Sequence, residues 1–394
     1  MALRLSNRVQ RIQPSPTLAV TARAAELREQ GHDVIGLGAG EPDFTTPEPI
    51  RAAAKTAIDA GHTKYTPVDG MASLKKAICE KFRTDNALEY TPEEVIASSG
   101  GKQVVFNLVQ ALLEEGDEAV IPAPYWVSYP DIVKLAGAQP VSIETDDTAG
   151  FKISPQQLEE ALGERSRLLI LNSPSNPTGA VYSAEELKDL AEVLRQYPQV
   201  VILTDDIYEK ILLGEKTFRN IVNVAPDLKD RTVVLNGVSK AYAMTGWRIG
   251  YAAGPREVIA AMKKLQSQST SNPASISQHA AVAALQSDPD LIRPMVEAFR
   301  ERHDYVSEAL NRLPHVSCRR AEGAFYLFPA FHDAIEALGL ADDVSLATHL
   351  LDQAQVALVP GSAFGAPGYM RLSFATDMES LRTAMDRLGR ILAG

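Results

Sequence analysis

Short apolar runs rich in valine, isoleucine and leucine recur through the middle of the chain, each ending in glycine or a polar residue and followed by a helical stretch. The runs are EVIASSGG, EAVIPAPYW, QPVSIE, RLLILNSPSNPTG, VVILTDDIY, TVVLNGVSK and RIGYAAG. Strands that are apolar on both faces and alternate with helices predict a mostly parallel sheet covered by helices on both sides. Ahead of them, residues 17–30 read as a helix stopped by Gly31, DVIGLGAGEPDFTTP as a short strand entering a Gly/Pro loop, and 47–60 and 71–85 as helices. The pattern changes near residue 285. LIRPMVEAFRERHDYVSEALNRL is a long amphipathic helix, followed by short strands in HVSCRRAEGAFYLFP, VALVPG and YMRLSFA and helices at 333–338, 344–354 and 377–392. The expected fold class is therefore α/β. A large domain at 45–285 carries the sheet, and residues 1–44 and 286–394 form a smaller α+β domain, because the central part is complete without the N-terminal segment.

Composition narrows the partners. The 394 residues exceed what one core usually supports, in line with two domains, and 45% hydrophobic with 23% charged residues is ordinary for a globular chain. A net charge of −11 argues against nucleic acid or an anionic membrane surface as partner. Cys79 and Cys318, the two cysteines, make no disulfide framework, which fits the reducing cytoplasm. The start, MALRLSNRVQRIQPSPT, has no continuous apolar core of a secretory signal, and no window is long and apolar enough for a membrane span.

Several motifs fail on inspection. In GLGAG (36–40) the third glycine of a dinucleotide loop would fall at Glu41, and a proline-rich loop follows where a helix is needed. Ser73-x-x-Lys76 has no Lys-Thr-Gly companion and reads as a helix face, and GSAFG (361–365) has its serine in the wrong place for a nucleophile elbow. The seven histidines show no metal-ligand spacing.

The strand ends are different. In parallel sheets ligands bind beyond the carboxyl ends of the strands, and those ends here carry Gly100-Gly101-Lys102, Tyr125-Trp126, Asn176, Asp205 with Tyr208, and Lys240. A lysine among small apolar residues loses its proton more readily and can form a Schiff base with a carbonyl. The helix opened by Gly100-Gly101 offers free N–H groups to a phosphate, and Arg248 can complete the cradle. Trp126 presents a flat face, Asp205 can hold a charged ring nitrogen, and Asn176 and Tyr208 can donate to a phenolate oxygen. Phosphate, aldehyde, phenolate and pyridinium together describe pyridoxal 5′-phosphate. Each residue alone has a bland reading as surface, packing or turn; their joint occurrence on different strands decides against it.

At this point the chain resembles the class I aminotransferases, of fold type I among pyridoxal-phosphate enzymes. The resemblance runs over essentially its whole length, through GAGEPDF, TKYTPVDG, SSGGKQ, APYWVSYP, NSPSNPTGAVY, TDDIYE, SKAYAMTGWRIGY and RLSFAT. It is most similar to the bacterial aspartate aminotransferases of the subgroup with Gly-Gly-Lys-Gln. The resemblance implies that Lys240 is the Schiff-base lysine and Arg248 a phosphate ligand. It also implies that Asp205 pairs with the pyridine nitrogen, Tyr208 and Asn176 bond the phenolate oxygen, Trp126 stacks on the ring, and Gly101 and Lys102 lie at the phosphate-binding helix start. Tyr65 would reach the cofactor of a neighbouring subunit, implying a homodimer with shared sites. Arg371 would clamp the substrate α-carboxylate and Gly40 would contact substrate through its backbone. Some relatives carry a phosphate-binding serine where this chain has Gly237, and Ser239 is the expected substitute. The segment 266–275 lacks the arginine that binds the distal carboxylate in many relatives, so Lys102, helped by Ser15 and Thr17, is expected to take that role. The expected activity is aspartate:2-oxoglutarate amino transfer. Alternatives are a prephenate or aromatic aminotransferase and a lyase of the same fold; a regulatory module lacks the DNA-binding head it would need.

Overall fold

The computed structural model describes residues 3–393 except Ser15, and within that range all side chains but those of Pro16 and Leu18. Its strands are β1 (Ile35–Gly36), β2 (Val95–Ser98), β3 (Glu118–Pro122), β4 (Gln139–Ile143), β5 (Ser166–Asn172), β6 (Val201–Asp205), β7 (Thr232–Gly237), β8 (Gly250–Ala253), β9 (Tyr326–Leu327), β10 (Val356–Ala357), β11 (Val359–Pro360) and β12 (Met370–Ser373). Every one of the seven apolar runs is a strand of one sheet, in the order β2-β8-β7-β6-β5-β3-β4. The neighbours are parallel except β8, which runs antiparallel to both β2 and β7.

The two-residue period of a strand explains why the runs are apolar throughout. Ile121, Ile170, Leu203 and Leu235 enter a core on one face with Val104, Leu108 and Met262. Their immediate neighbours Val120, Leu169, Ile202 and Val234 enter the core on the other face with Leu74, Ile78 and Leu187. Helices cover each face: Gly101–Leu112, Ser128–Ala136 and Arg256–Ser267 on the first, Ala72–Asn86 and Ala184–Arg195 on the second. The last of these starts at a capping box, in which Ser183 and Glu186 satisfy each other's backbone N–H.

The expected helices at 17–30, 47–60 and 71–85 stand at Pro16–Glu29, Glu48–Asp59 and Ala72–Asn86. The N-terminal segment and the region after 285 are woven together. β1 pairs parallel with β10, Ile35 opposite Val356, and Ala24 and Leu27 pack with Val34, Leu351 and Ala357. β11, β12 and β9 form a second small sheet, antiparallel, and Ser373 N donates to Leu37 O at 2.7 Å. One expectation is corrected. HVSCRRAEGAFYLFP is mostly not strand: only Tyr326–Leu327 pairs in a ladder, besides isolated bridges from Ser317 to Ala330 and from Gly323 to Leu212. The Asn311 side chain takes both backbone groups of Cys318, accepting from its N–H at 2.9 Å and donating to its carbonyl at 2.9 Å, so no neighbouring strand is needed there.

Candidate active site

The polar residues singled out at the strand ends, Tyr125 excepted, converge on one cavity of about 480 Å³. β2, β3, β5, β6 and β7 all end at this edge of the sheet, and antiparallel β8 begins there, which brings in Arg248 just before it. β12 contributes Arg371 from the second sheet, and the loop after β1 contributes Gly38, Ala39 and Gly40.

Asp205 is the last residue of β6 and is buried. Its Oδ2 accepts from the Tyr129 hydroxyl at 2.6 Å and its Oδ1 from Ile207 N–H at 3.3 Å. Burial pushes the Asp205 carboxyl up to about 6, against the two hydrogen bonds and the charge of Lys240. The adjacent Asp206 does not line the cavity; Thr204 Oγ1 at 2.6 Å and Asn220 Nδ2 at 3.0 Å donate to it, and burial pushes it to about 7. The strand alternation thus separates two acids that the sequence sets side by side.

Lys240 sits in the turn after β7, half-buried, with its ammonium on the Gly40 carbonyl. Desolvation lowers its pKa to about 8, with Arg371 adding to the effect and Glu41 opposing it. Tyr208 and Phe325 ring centroids are each 5.8 Å from its Nζ.

Arg371 is buried at 2% exposure. Its Nη1 donates to Asn176 Oδ1 at 2.9 Å and its Nη2 to Gly38 O at 2.7 Å, while Tyr326 and Phe364 rings lie 4.7 and 4.9 Å from its Cζ. Its Nε–H has no partner among the described residues, a donor with unused capacity in a cavity wall.

At the other side, the helix Gly101–Leu112 starts after Gly100, whose φ of +90° suits glycine alone. A Cβ there would run into the Arg248 guanidinium. Arg248 donates to Thr245 O at 2.9 Å and Ser99 O at 3.4 Å. Lys102 is exposed on the same wall, its ammonium 5.0 Å from the Trp126 ring centroid.

Lys102, Lys240, Arg248 and Arg371 therefore line one cavity. The last three bond carbonyl or amide oxygens, and none of the four meets a carboxylate within salt-bridge distance among the described residues. Thr17 also lines it, and its Oγ1 is buried without a partner among the described residues. Gly40, Gly101, Trp126, Asn176, Tyr208 and Ser239 complete the expected set in the cavity wall. Two expected residues are not brought there: Tyr65 is 91% exposed and away from the cavity, and Ser15 lies outside the described residues. Position 237 is closed, since a Cβ on Gly237 would meet Ile207 Cδ1 at 2.9 Å and Ile249 O at 3.1 Å, whereas Ser239 lines this cavity, as does Ser128. Sequence reasoning missed Tyr129, Tyr326, Glu41 and Asn172 as cavity residues. Tyr129 lies inside APYWVSYP and Glu41 inside GAGEPDF, so the motifs held the signal without saying which side chains turn inward.

The donor set fits pyridoxal 5′-phosphate. A positive helix start with Arg248 and Ser239 suits a phosphate, Trp126 a flat ring, Asp205 a ring nitrogen, and Lys240 an aldehyde carbon. Fold and site together define a lysine-dependent enzyme of the pyridoxal-phosphate class. The chain belongs to the family described as aminotransferase class I and II, whose model matches residues 32–388. It is a pyridoxal-phosphate-dependent aminotransferase. An aspartate/prephenate aminotransferase of Nitrosomonas europaea is 57% identical, over 99% of this chain and 100% of that protein. The aspartate aminotransferase of Rhizobium meliloti has a TM-score of 0.95 at 45% identity, covering 100% of this chain and 99% of that one. The Thermus thermophilus aspartate aminotransferase with maleate has a TM-score of 0.93 at 44% identity, covering 99% of this chain and 100% of that one.

Proposed function

We propose that this chain moves the amino group of aspartate to 2-oxoglutarate. The observation that carries the reading is the set of four cations without carboxylate partners around one cavity, in a chain of net charge −11. A phosphate accounts for Arg248 and the helix start, which leaves Arg371 and Lys102 for the two carboxylates of a dicarboxylic amino acid. Relatives named for aspartate support the choice, as does the Thermus relative solved with maleate, a dicarboxylate with four carbons like aspartate.

The roles follow from chemistry. Pyridoxal phosphate, when bound, takes up the electrons released at the substrate Cα. Lys240 would hold it and, once freed by substrate, take the Cα proton; a pKa lowered to about 8 makes its neutral amine available near neutral pH. Asp205 would keep the ring nitrogen protonated, with Asn176 and Tyr208 as donors to the phenolate oxygen. Arg371, already fixed by Asn176 and Gly38, would clamp the α-carboxylate with its remaining N–H groups. Lys102 would meet the distal carboxylate, with Thr17 adding its hydroxyl.

Tyr65, exposed on its own chain, is assigned to the cavity of a second copy in a homodimer. Cys79 and Cys318 are free thiols, in keeping with a cytoplasmic enzyme. We assign 45–285 as the large domain and 1–44 with 286–394 as the small one, supported by the pairing of β1 with β10.

Lys102→Ala tests the dicarboxylate reading. It is expected to lower kcat/KM for aspartate about 10- to 100-fold, the size of a hydrogen bond to a charged group, and to change that for alanine much less. An equal loss on both donors would move Lys102 to the phosphate and leave the distal carboxylate without its partner.

A further inference from the structure

Asp205 is the one buried acid in the cavity wall, and a carboxylate can turn about its Cβ–Cγ bond unless something fixes it. Here one side chain does so. Tyr129 is fully buried, and its hydroxyl has the Asp205 carboxylate as its hydrogen-bond partner, at 2.6 Å. The phenol is itself held: Tyr129 lies in the first turn of the helix Ser128–Ala136, its N–H donates to Trp126 O at 3.0 Å, and its ring meets the Trp126 ring edge-on at 5.3 Å. The five residues from Trp126 to Pro130 thus supply both a flat face to the cavity and a rigid donor behind its acid.

We propose that Tyr129 is a positioning residue that sets the orientation and basicity of Asp205 toward the ring nitrogen of the cofactor. The inference rests on the assignment of Asp205 to that nitrogen. The physical case is direct. A hydroxyl donating to a carboxylate stabilises its charged form, and it occupies one acceptor site of Oδ2 as Ile207 N–H occupies one of Oδ1. The remaining lone pairs then point in a fixed direction. The other groups around Asp205 are Lys240, which also favours the charged form, and Tyr208 and Asp206 nearby. Of these, Tyr129 alone gives the carboxylate a side-chain hydrogen bond.

The test uses the full-length protein freed of cofactor and titrated with pyridoxamine 5′-phosphate, followed by fluorescence from pH 5 to 8.5. Affinity should fall on the acid side as Asp205 takes a proton and can no longer pair with the charged ring nitrogen. In Tyr129→Phe this acid limb should move up by about one pH unit, because the carboxylate has lost the donor that favours its charge. Replacing Tyr129 by 3,5-difluorotyrosine, a stronger donor of unchanged shape, should move it down, and this arm remains available if the phenylalanine variant does not fold. Asp205→Asn should abolish the limb assigned to Asp205, and adding Tyr129→Phe in that background should change nothing further. An unmoved limb in both Tyr129 variants, or the same loss with and without Asp205, would overturn the role of Tyr129. A limb untouched by Asp205→Asn would instead overturn the assignment of Asp205 itself.

Discussion

Asp205 and Lys240 are held in charge states that the ligand-free fold resists. The folded pKa of Asp205, about 6, lies above the value of about 3.9 expected when unfolded. Above pH 6 the fold therefore carries a buried charge it disfavours, and that loss of stability fades as pH falls from 6 toward 4. Asp205→Asn should stabilise the cofactor-free protein at pH 8 by roughly 2–3 kcal/mol and so raise its Tm there, and leave the Tm nearly unchanged at pH 4, while lowering turnover severely. Thermal melts at the two pH values check this; equal Tm changes at both would show that the carboxyl is not perturbed. Lys240 is the mirror case, since its lowered pKa disfavours the ammonium below about pH 8. Lys240→Ala should keep its fold and lose at least about a thousandfold in amino transfer, measured by single-turnover formation of the aminated cofactor. These two residues were legible in the sequence because each ends an apolar run. Tyr129 and Tyr326 were not. Their partners Asp205 and Tyr208 lie 76 and 118 positions away, and periodicity carries no information on such pairings.

At the scale of elements, the start of the helix Gly101–Leu112 is built to leave room. Gly100 takes φ +90° and lets the Arg248 guanidinium lie where a side chain would be. Gly100→Ala adds backbone strain and pushes Arg248 away, so cofactor retention should weaken about tenfold or more while helix content is kept. Equilibrium dialysis against the cofactor with parallel circular dichroism would show it; unchanged retention would remove Arg248 and the helix start from the phosphate site. All seven strands of the large sheet could be read from the sequence because burial on both faces makes them continuous apolar runs. The stretch 315–329 could not, because Asn311 replaces a strand partner and no local pattern marks that. GLGAG shows the opposite case. It is no dinucleotide loop, yet Gly38 and Gly40 turn their carbonyls to Arg371 and Lys240.

At the scale of the molecule, two sheets meet over one cavity, so the site needs both regions of the chain in place. The loop bearing Tyr65 is tied down although its tyrosine is exposed: Gln278 Nε2 donates to Thr66 Oγ1 at 2.8 Å and Ser275 Oγ to His62 O at 2.8 Å. A fixed loop presenting one exposed aromatic residue suits delivery to a second copy. Mixing inactive Tyr65 and Lys240 variants under conditions of subunit exchange should recover part of the activity, since some hybrid sites are intact; no recovery with demonstrated exchange would confine each site to one chain. The most direct test of the whole account is an initial-rate matrix of aspartate against 2-oxoglutarate, run beside alanine as donor. Parallel double-reciprocal lines, no turnover without the 2-oxo acid, and a higher kcat/KM for aspartate than for alanine are predicted. Turnover of aspartate in the absence of an acceptor, or alanine as the better donor, would contradict it.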